Sequence, residues 1–393
     1  MQAEGGDDRG EYHVNPLETL DSPVDEARDP EGREGSPRGR QRPRRGASPS
    51  GMLWVGGGAV VVVALAAALL LFSTGAFGSA DPPPAAPAGA PAGLVVSTYD
   101  LPSPYVLVDG SSTYLYTGGI GVDDTPHVPV RPFSSLSHLP ARSEAMPALP
   151  RWSWGWIWTV DVVKAATGYA MWFTTQDPAV LNPGGVADQC IGNATSSSPT
   201  GPFTPSAVPV ICQTWGSIDP RITTAPDGTM WLIWKSDLNA DHRALIPTTI
   251  WEQQLAPNGI TLLGTPHQIA TSTQPWEGGL AESPDMVDLG GTYYLFFSGN
   301  SSLSPSNGVG MMTCDGIEGP CHDTRSAPLI ASNSQGQGPG EESLFQQDGI
   351  TWLLYSPNAI FGKYLFRPMA VARVAVGPSG PYVAQFDGAV PGT

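Results

Sequence analysis

Cysteine is scarce in this chain, and its spacing excludes as much as its number. Only four occur, as the close pairs Cys190 with Cys212 and Cys314 with Cys321, with no C-x-x-C spacing and no histidines clustered beside them. A structural zinc site needs four convergent sulfur or nitrogen ligands. The pairs are therefore expected as two disulfides, each stapling a local hairpin in an oxidising compartment. Positive charge is scarce as well: 19 Lys and Arg stand against 36 Asp and Glu, for a net charge of −17. That excludes nucleic acid as a partner, because phosphate backbones are held by cationic surfaces. The six histidines are scattered, so no Ser-His-Asp arrangement can be assembled. Long helical periodicity is missing from Leu94 onward, which leaves an all-β reading for most of the chain.

Apolar residues are almost absent from residues 1–51, which carry acidic and arginine-rich stretches such as Arg38-Gly-Arg-Gln-Arg-Pro-Arg-Arg45. Such a segment cannot bury enough surface to fold and is expected as a disordered cytoplasmic tail. Residues 52–72 then read MLWVGGGAVVVVALAAALLLF without a charge, long enough as a helix to span a hydrocarbon core of about 30 Å. A transmembrane helix is expected. A cleaved signal peptide is the rival, with Gly78-Ser79-Ala80 as a cut site, but its apolar region usually spans about 7–15 residues. Arginines crowd before this segment and are missing from Ser73 to Gly93. The positive-inside rule therefore sets a single-pass plasma-membrane protein with a cytoplasmic N-terminus and an extracytoplasmic main domain. Residues 73–94, with DPPPAAPAGAPAG at Asp81–Gly93, form a Pro/Ala-rich linker.

Within residues 95–393 one unit recurs: a polar or acidic residue, a short strand, a tight turn and an aromatic strand. Its instances are SPYVLVDGSSTYLYTGG from Ser103, WTVDVVKAATGYAMWFTT from Trp158, IDPRITTAPDGTMWLIWKS from Ile218, AESPDMVDLGGTYYLFFSG from Ala281 and EESLFQQDGITWLLYSP from Glu341. Five copies near sixty residues apart predict a five-bladed β-propeller of about four strands per blade. Asp109-Gly110, Asp227-Gly228 and Gly290-Gly291 are expected as hairpin turns. In such a fold the first strand of each blade lines the central channel, so several blades can converge acids on one mouth. Asp219 and Glu282 read as equivalent, since each precedes an aromatic by twelve residues, Trp231 and Tyr294.

The chain resembles the family 43 glycoside hydrolases over most of residues 97–375. The resemblance rests on Ile218-Asp219-Pro220, Glu282-Ser283-Pro284, the Trp158-x-x-Asp161 motif, CIGNATSSSPTGPF from Cys190 to Phe203, a looser copy from Gly310 to Pro320, and Arg367-Pro368. It implies an inverting mechanism with Glu282 as general acid and Asp219 as the carboxylate that tunes it. Inversion requires the acid and base carboxyls roughly 6.5–9.5 Å apart, with water on the face opposite the leaving group. It also implies sugar contacts from Trp158, Asp161, Ser103, Trp276, Glu341 and Arg367.

Two positions depart from the pattern. Ser103-Pro104 stands where the family carries the Asp-Pro base, and a serine hydroxyl cannot serve as that base at an ordinary pKa. Asp100, three residues upstream, is the candidate for a displaced base. Gly338-Pro339-Gly340-Glu341 stands where relatives often carry a histidine that helps hold a channel ion or water network. No cofactor is required; calcium would need several oxygen ligands, and only Glu341 or Glu342 offers one there. Trp152, Trp154, Trp156 and Trp158 alternate and would share one face if extended. Trp234-Lys235-Ser236-Asp237 reads as a strand ending in a polar loop. Asn193-Ala-Thr195 and Asn300-Ser-Ser302 match glycosylation acceptors and are expected to mark loops.

The sequence thus points to a membrane-anchored hydrolase of arabinose- or xylose-containing polysaccharide. A glycan-binding propeller that has lost its base stands as the alternative, and a protein-interaction propeller explains the two retained acids least. No oligomeric state follows from the sequence.

Overall fold

The computed structural model describes residues 101–118, 127–136, 139–240, 247–333, 336–361 and 364–386. The expected tail, transmembrane helix and linker, and Asp100, lie outside the described residues. Among the described residues, no helix is long and apolar enough to cross a membrane.

Five antiparallel sheets follow one another along the chain. Blade one holds β1 (Tyr105–Asp109), β2 (Ser112–Tyr116), β3 (Pro129–Phe133) and β4 (Ser143–Glu144). Blade two holds β5 (Trp158–Ala165), β6 (Gly168–Leu181), β7 (Ala187–Ser196) and β8 (Thr204–Pro205). Blade three holds β9 (Ser217–Thr224), β10 (Met230–Ser236), β11 (Thr249–Leu255) and β12 (Leu262–Thr271). In blade four, β13 (Glu282–Asp288), β14 (Tyr293–Gly299), β15 (Gly308–Cys314) and β16 (Cys321–Asp323) pair in order. Blade five pairs β17 (Gln337–Gln347), β18 (Ile350–Phe361), β20 (Ala370–Gly377) and β21 (Gly380–Phe386), with β19 (Tyr364–Phe366) on β18. This is the five-bladed propeller that the repeat predicts.

Each blade buries both faces against its neighbours, so the core divides into five clusters at the five blade interfaces. Val130 and Tyr116 of blade one meet Val160 and Phe173 of blade two. Trp172 meets Leu232 and Trp234 between blades two and three, and Ile233 meets Leu295 and Phe297 between three and four. Phe296 meets Leu353 between four and five. Leu115 and Val106 meet Trp352 and Leu354 between one and five, closing the ring. At about 25 cal/mol per Å² of apolar surface removed from water, these interfaces are the main stabilising force.

The ring also closes by hydrogen bonds: the Leu101 N–H donates to the Arg367 carbonyl at 3.0 Å and Ser343 Oγ to the Pro104 carbonyl at 2.7 Å. The hairpins fall where expected, with Asp109 opposite Ser112. Both disulfides, Cys190–Cys212 and Cys314–Cys321, are present. The second joins directly paired residues of β15 and β16.

Two local expectations need correction. The alternating tryptophans do not share a face, because the chain turns at Pro150 and Gly155 (φ +142°) and is not extended before Trp158. Trp152 stacks on Phe173, Trp154 is exposed and Trp156 leans on Trp158. Asn193 lies within β7 and donates to the Ile260 carbonyl, so it marks a strand, whereas Asn300 does sit in a turn after β14. The strand expected at Trp234 to Asp237 does end in a loop, after Ser236, and Lys235, Ser236 and Asp237 are all buried there.

Candidate active site

One residue at or near the start of each inner strand has an unusual backbone. Ser103, Thr159, Asp219, Ser283 and Glu341 have φ of 48°, 27°, 60°, 49° and 54°. None is glycine, and a left-handed conformation costs such residues roughly 1–2 kcal/mol each. Three residues later come Val106, Val162, Ile222, Met286 and Leu344, each paired with the blade's second strand. The five are therefore equivalent and ring one mouth of the channel. This corrects the sequence register: the counterpart of Asp219 is Ser283, and Glu282 stands one residue earlier. The loop joining β13 to β14, residues 289–292, is one residue shorter than the loop 225–229 joining β9 to β10, which accounts for the slip.

Asp219 is buried and held on both oxygens, by Thr159 Oγ at 2.7 Å and by the Ser283 N–H at 2.9 Å. Its own N–H donates to Thr174 Oγ1. The acid is thus fixed between blades two and four. Glu282, one residue from Ser283, accepts from Lys235 Nζ at 2.8 Å and from Asn239 Nδ2 at 3.2 Å. Lys235 also donates to Asp237 at 3.0 Å and is 1 % exposed. Burial works to lower the Lys235 pKa, but the combined attraction of Glu282, Asp237 and Asp219 overrides it and holds the ammonium charged. The sequence reading missed this residue. Its available signal was a rare lysine within an apolar strand, MWLIWKS.

In the next blade, Glu341 forms an ion pair with Arg367 and accepts the Ser103 N–H at 2.9 Å. Glu341 and Asp219 thus make the same contact: each carboxylate receives the N–H of the left-handed residue in the next blade. The Glu341 N–H donates to Ser298 Oγ at 2.8 Å, and Ser298 lies directly across from Glu282. Glu342 is fully buried, accepts from Ser298 Oγ, and is pushed by burial up to about 8.

Two residues inside the ring, Tyr105, Asp161, Arg221, Asp285 and Ser343 line the channel. Arg221 is fully buried, lies 5.3 Å from the Tyr105 ring centroid and donates to the Val160 carbonyl. Asp161 accepts from the Ile222 N–H and Asp285 from the Leu344 N–H. Burial pushes Asp161 up to about 7 and Asp285 to about 6, against the pull of Arg221. Asp161 is only 1 % exposed, which puts it in the channel wall below the mouth. Trp158 begins β5 half-buried, and Trp276 stacks on Phe297 within blade four. Among the described residues no group of three His, Cys, Asp or Glu side chains could hold a metal. The Arg221 guanidinium already places a cation in the channel, so these residues do not fit a channel calcium. A cavity of about 580 Å³ opens at the other mouth, lined by Thr223, Val287, Asp288 and Phe345, away from Glu282.

The sequence profile of the glycosyl hydrolases family 43 matches residues 93–375. The chain belongs to that family. No curated protein matches it in sequence. Among solved structures, a thermostable family-43 glycoside hydrolase is 22% identical, with a TM-score of 0.64 over 75% of this chain and 99% of that one. An endo-1,4-beta-xylanase from Bacteroides thetaiotaomicron is 22% identical, with a TM-score of 0.59 over 74% and 96%. An alpha-L-arabinofuranosidase from Lactobacillus brevis is 16% identical, with a TM-score of 0.60 over 73% and 94%. These likenesses establish the fold, and membership in family 43 makes Asp219 and Glu282 the carboxyls to weigh first.

Proposed function

We propose that this family 43 protein hydrolyses O-glycosyl bonds of arabinose- or xylose-containing polysaccharide by an inverting mechanism, with Glu282 as general acid. The observation that carries this reading is the fixed pair at one mouth: Asp219 bonded to the residue beside Glu282, and Glu282 partly open at 17% side-chain exposure. Asp219, locked on both oxygens, is a positioning and charge-tuning group. Lys235 has two carboxylate partners, so it stays paired through Asp237 when Glu282 carries the proton. Trp158 and Arg367 at the mouth supply sugar contacts, and Asp100 is the sequence candidate for the base. The substrate class is that of the similar solved enzymes, a xylanase and an arabinofuranosidase by name.

Residues 52–72 anchor the propeller at the plasma membrane with its mouth outside the cell, a placement the two disulfides support. Recovery of the full chain in the soluble fraction without detergent would contradict the anchor. The catalytic reading is tested by sugar release from arabinan and xylan by the full-length chain beside Glu282→Gln. Loss of a general acid is expected to lower kcat about 10²–10⁴-fold; wild-type release by that variant would sink the assignment. Ser103 at the usual base position favours one second reading, a propeller that binds glycans without cleaving them. Oligosaccharide binding with no release by the wild-type chain would establish it.

A further inference from the structure

We infer that Glu341, supplied by the fifth blade, is the general base that Ser103 cannot be. The inference rests on the hydrolase reading above and adds the missing group to it.

Blade one leaves a gap in the chemistry and blade five fills it in space. Ser103 occupies the left-handed start of the first inner strand with a hydroxyl, and its N–H donates to Glu341 Oε2 at 2.9 Å. The carboxylate of Glu341 therefore lies beside the residue whose register calls for an acid. Its reach is explicable: Glu341 shares the left-handed backbone of Asp219 and repeats its contact to the next blade, but its side chain is one methylene longer. Its backbone is tied to Ser298, the cross-strand partner of Glu282, so the acid and this carboxylate stand on the inner strands of neighbouring blades at one mouth. Arg367 holds the other oxygen. An ionised carboxylate offers about four lone-pair sites, and the Ser103 and Arg367 contacts use two. At 16% side-chain exposure the group still meets solvent, which a base that activates water must do. Glu342 does not, being fully buried against Ser298.

In the proposed step a Glu341 oxygen takes a proton from water, and that water's oxygen forms the new bond to the anomeric carbon. The glycosidic C–O bond breaks, its electron pair going to the leaving oxygen, which takes the proton carried by Glu282. Glu341 ends protonated and Glu282 ionised, so the atoms balance as hydrolysis with inversion.

The test uses the full-length chain in mild detergent, with wild type, Glu341→Ala, Glu341→Gln, Asp100→Asn and Glu282→Gln compared on arabinan and xylan. The alanine variant is also given 4-nitrophenyl α-L-arabinofuranoside or β-D-xyloside with added azide. Loss of about 10²–10⁴-fold in kcat is expected for both Glu341 variants, with the glutamine variant melting as the wild type does. Azide, a nucleophile that needs no base, should restore turnover of the alanine variant and give a glycosyl azide of inverted configuration. A merely structural Glu341 would yield neither rescue nor azide product, and that result overturns the inference. Near wild-type turnover by Glu341→Gln while Glu282→Gln is inactive also overturns it, leaving the hydrolase reading intact. A wild-type chain that is folded yet releases nothing removes both readings together.

Discussion

Lys235 ties two carboxylates together at the mouth. It is almost fully buried and lies within 3.0 Å of both Asp237 and Glu282. Removing one partner of a buried ion pair typically costs about 3–5 kcal/mol, because the remaining charge is left uncompensated. Lys235→Met is therefore expected to lower unfolding free energy by that order, measured by urea denaturation, and to reduce kcat as well. A variant as stable as the wild type would show that the pair does not matter to the fold. Asp219 and Glu282 were legible because short motifs surround them. Lys235 and Arg221 were not, since a polar residue in sequence defaults to the surface and the partners that bury it lie elsewhere, Glu282 being 47 residues away. Glu341 was legible as a departure, yet its contact to Ser103 spans 238 residues and exists only once the ring closes.

At the scale of elements, the blades could be read because each hairpin declares itself through its own turn and aromatic strand. Register could not be read to a single residue. A hairpin one residue shorter leaves the hydrophobic pattern of its strands unchanged, and the shorter loop between β13 and β14 moved Glu282 off the position of Asp219. The tryptophan run misled for a related reason, since alternation implies a shared face only when the backbone is extended. The two disulfides provide a quantitative test. They close sequence separations of 22 and 7 residues, and loop-closure entropy grows as about 1.5 RT ln n. Replacing Cys190 and Cys212 by serine should cost about 1 kcal/mol more than replacing Cys314 and Cys321, by chemical denaturation. Equal losses would mean that local packing, not loop length, sets their worth.

The whole molecule stores buried acid along its axis, and that storage has a sign. Glu342, Asp161 and Asp285 titrate in the folded chain near 8, 7 and 6, against ordinary values of 4.5, 3.8 and 3.8. Between those limits the folded state binds more protons on these groups than the unfolded one, so their contribution to stability is greatest below about 4 and is lost as pH rises through 6 to 8. Urea midpoints of the full chain should decline over that range. Glu342→Gln should flatten the upper part of the decline, by roughly 1.4 kcal/mol for each pKa unit removed. A midpoint that rises with pH would refute this account of the channel.

Every blade among the described residues is built from one continuous stretch of chain, so no strand crosses from blade five to complete blade one. The junction between them relies on the Leu115–Trp352 packing, the Leu101 to Arg367 backbone bond and the Glu341 contact with Ser103. Tension applied to the chain before Leu101 would enter the ring at that junction and peel blade one away from its neighbour first. The mouth would lose the Ser103–Glu341 contact before blades two to four were disturbed, so such a pull would act on the mouth ahead of the rest of the fold.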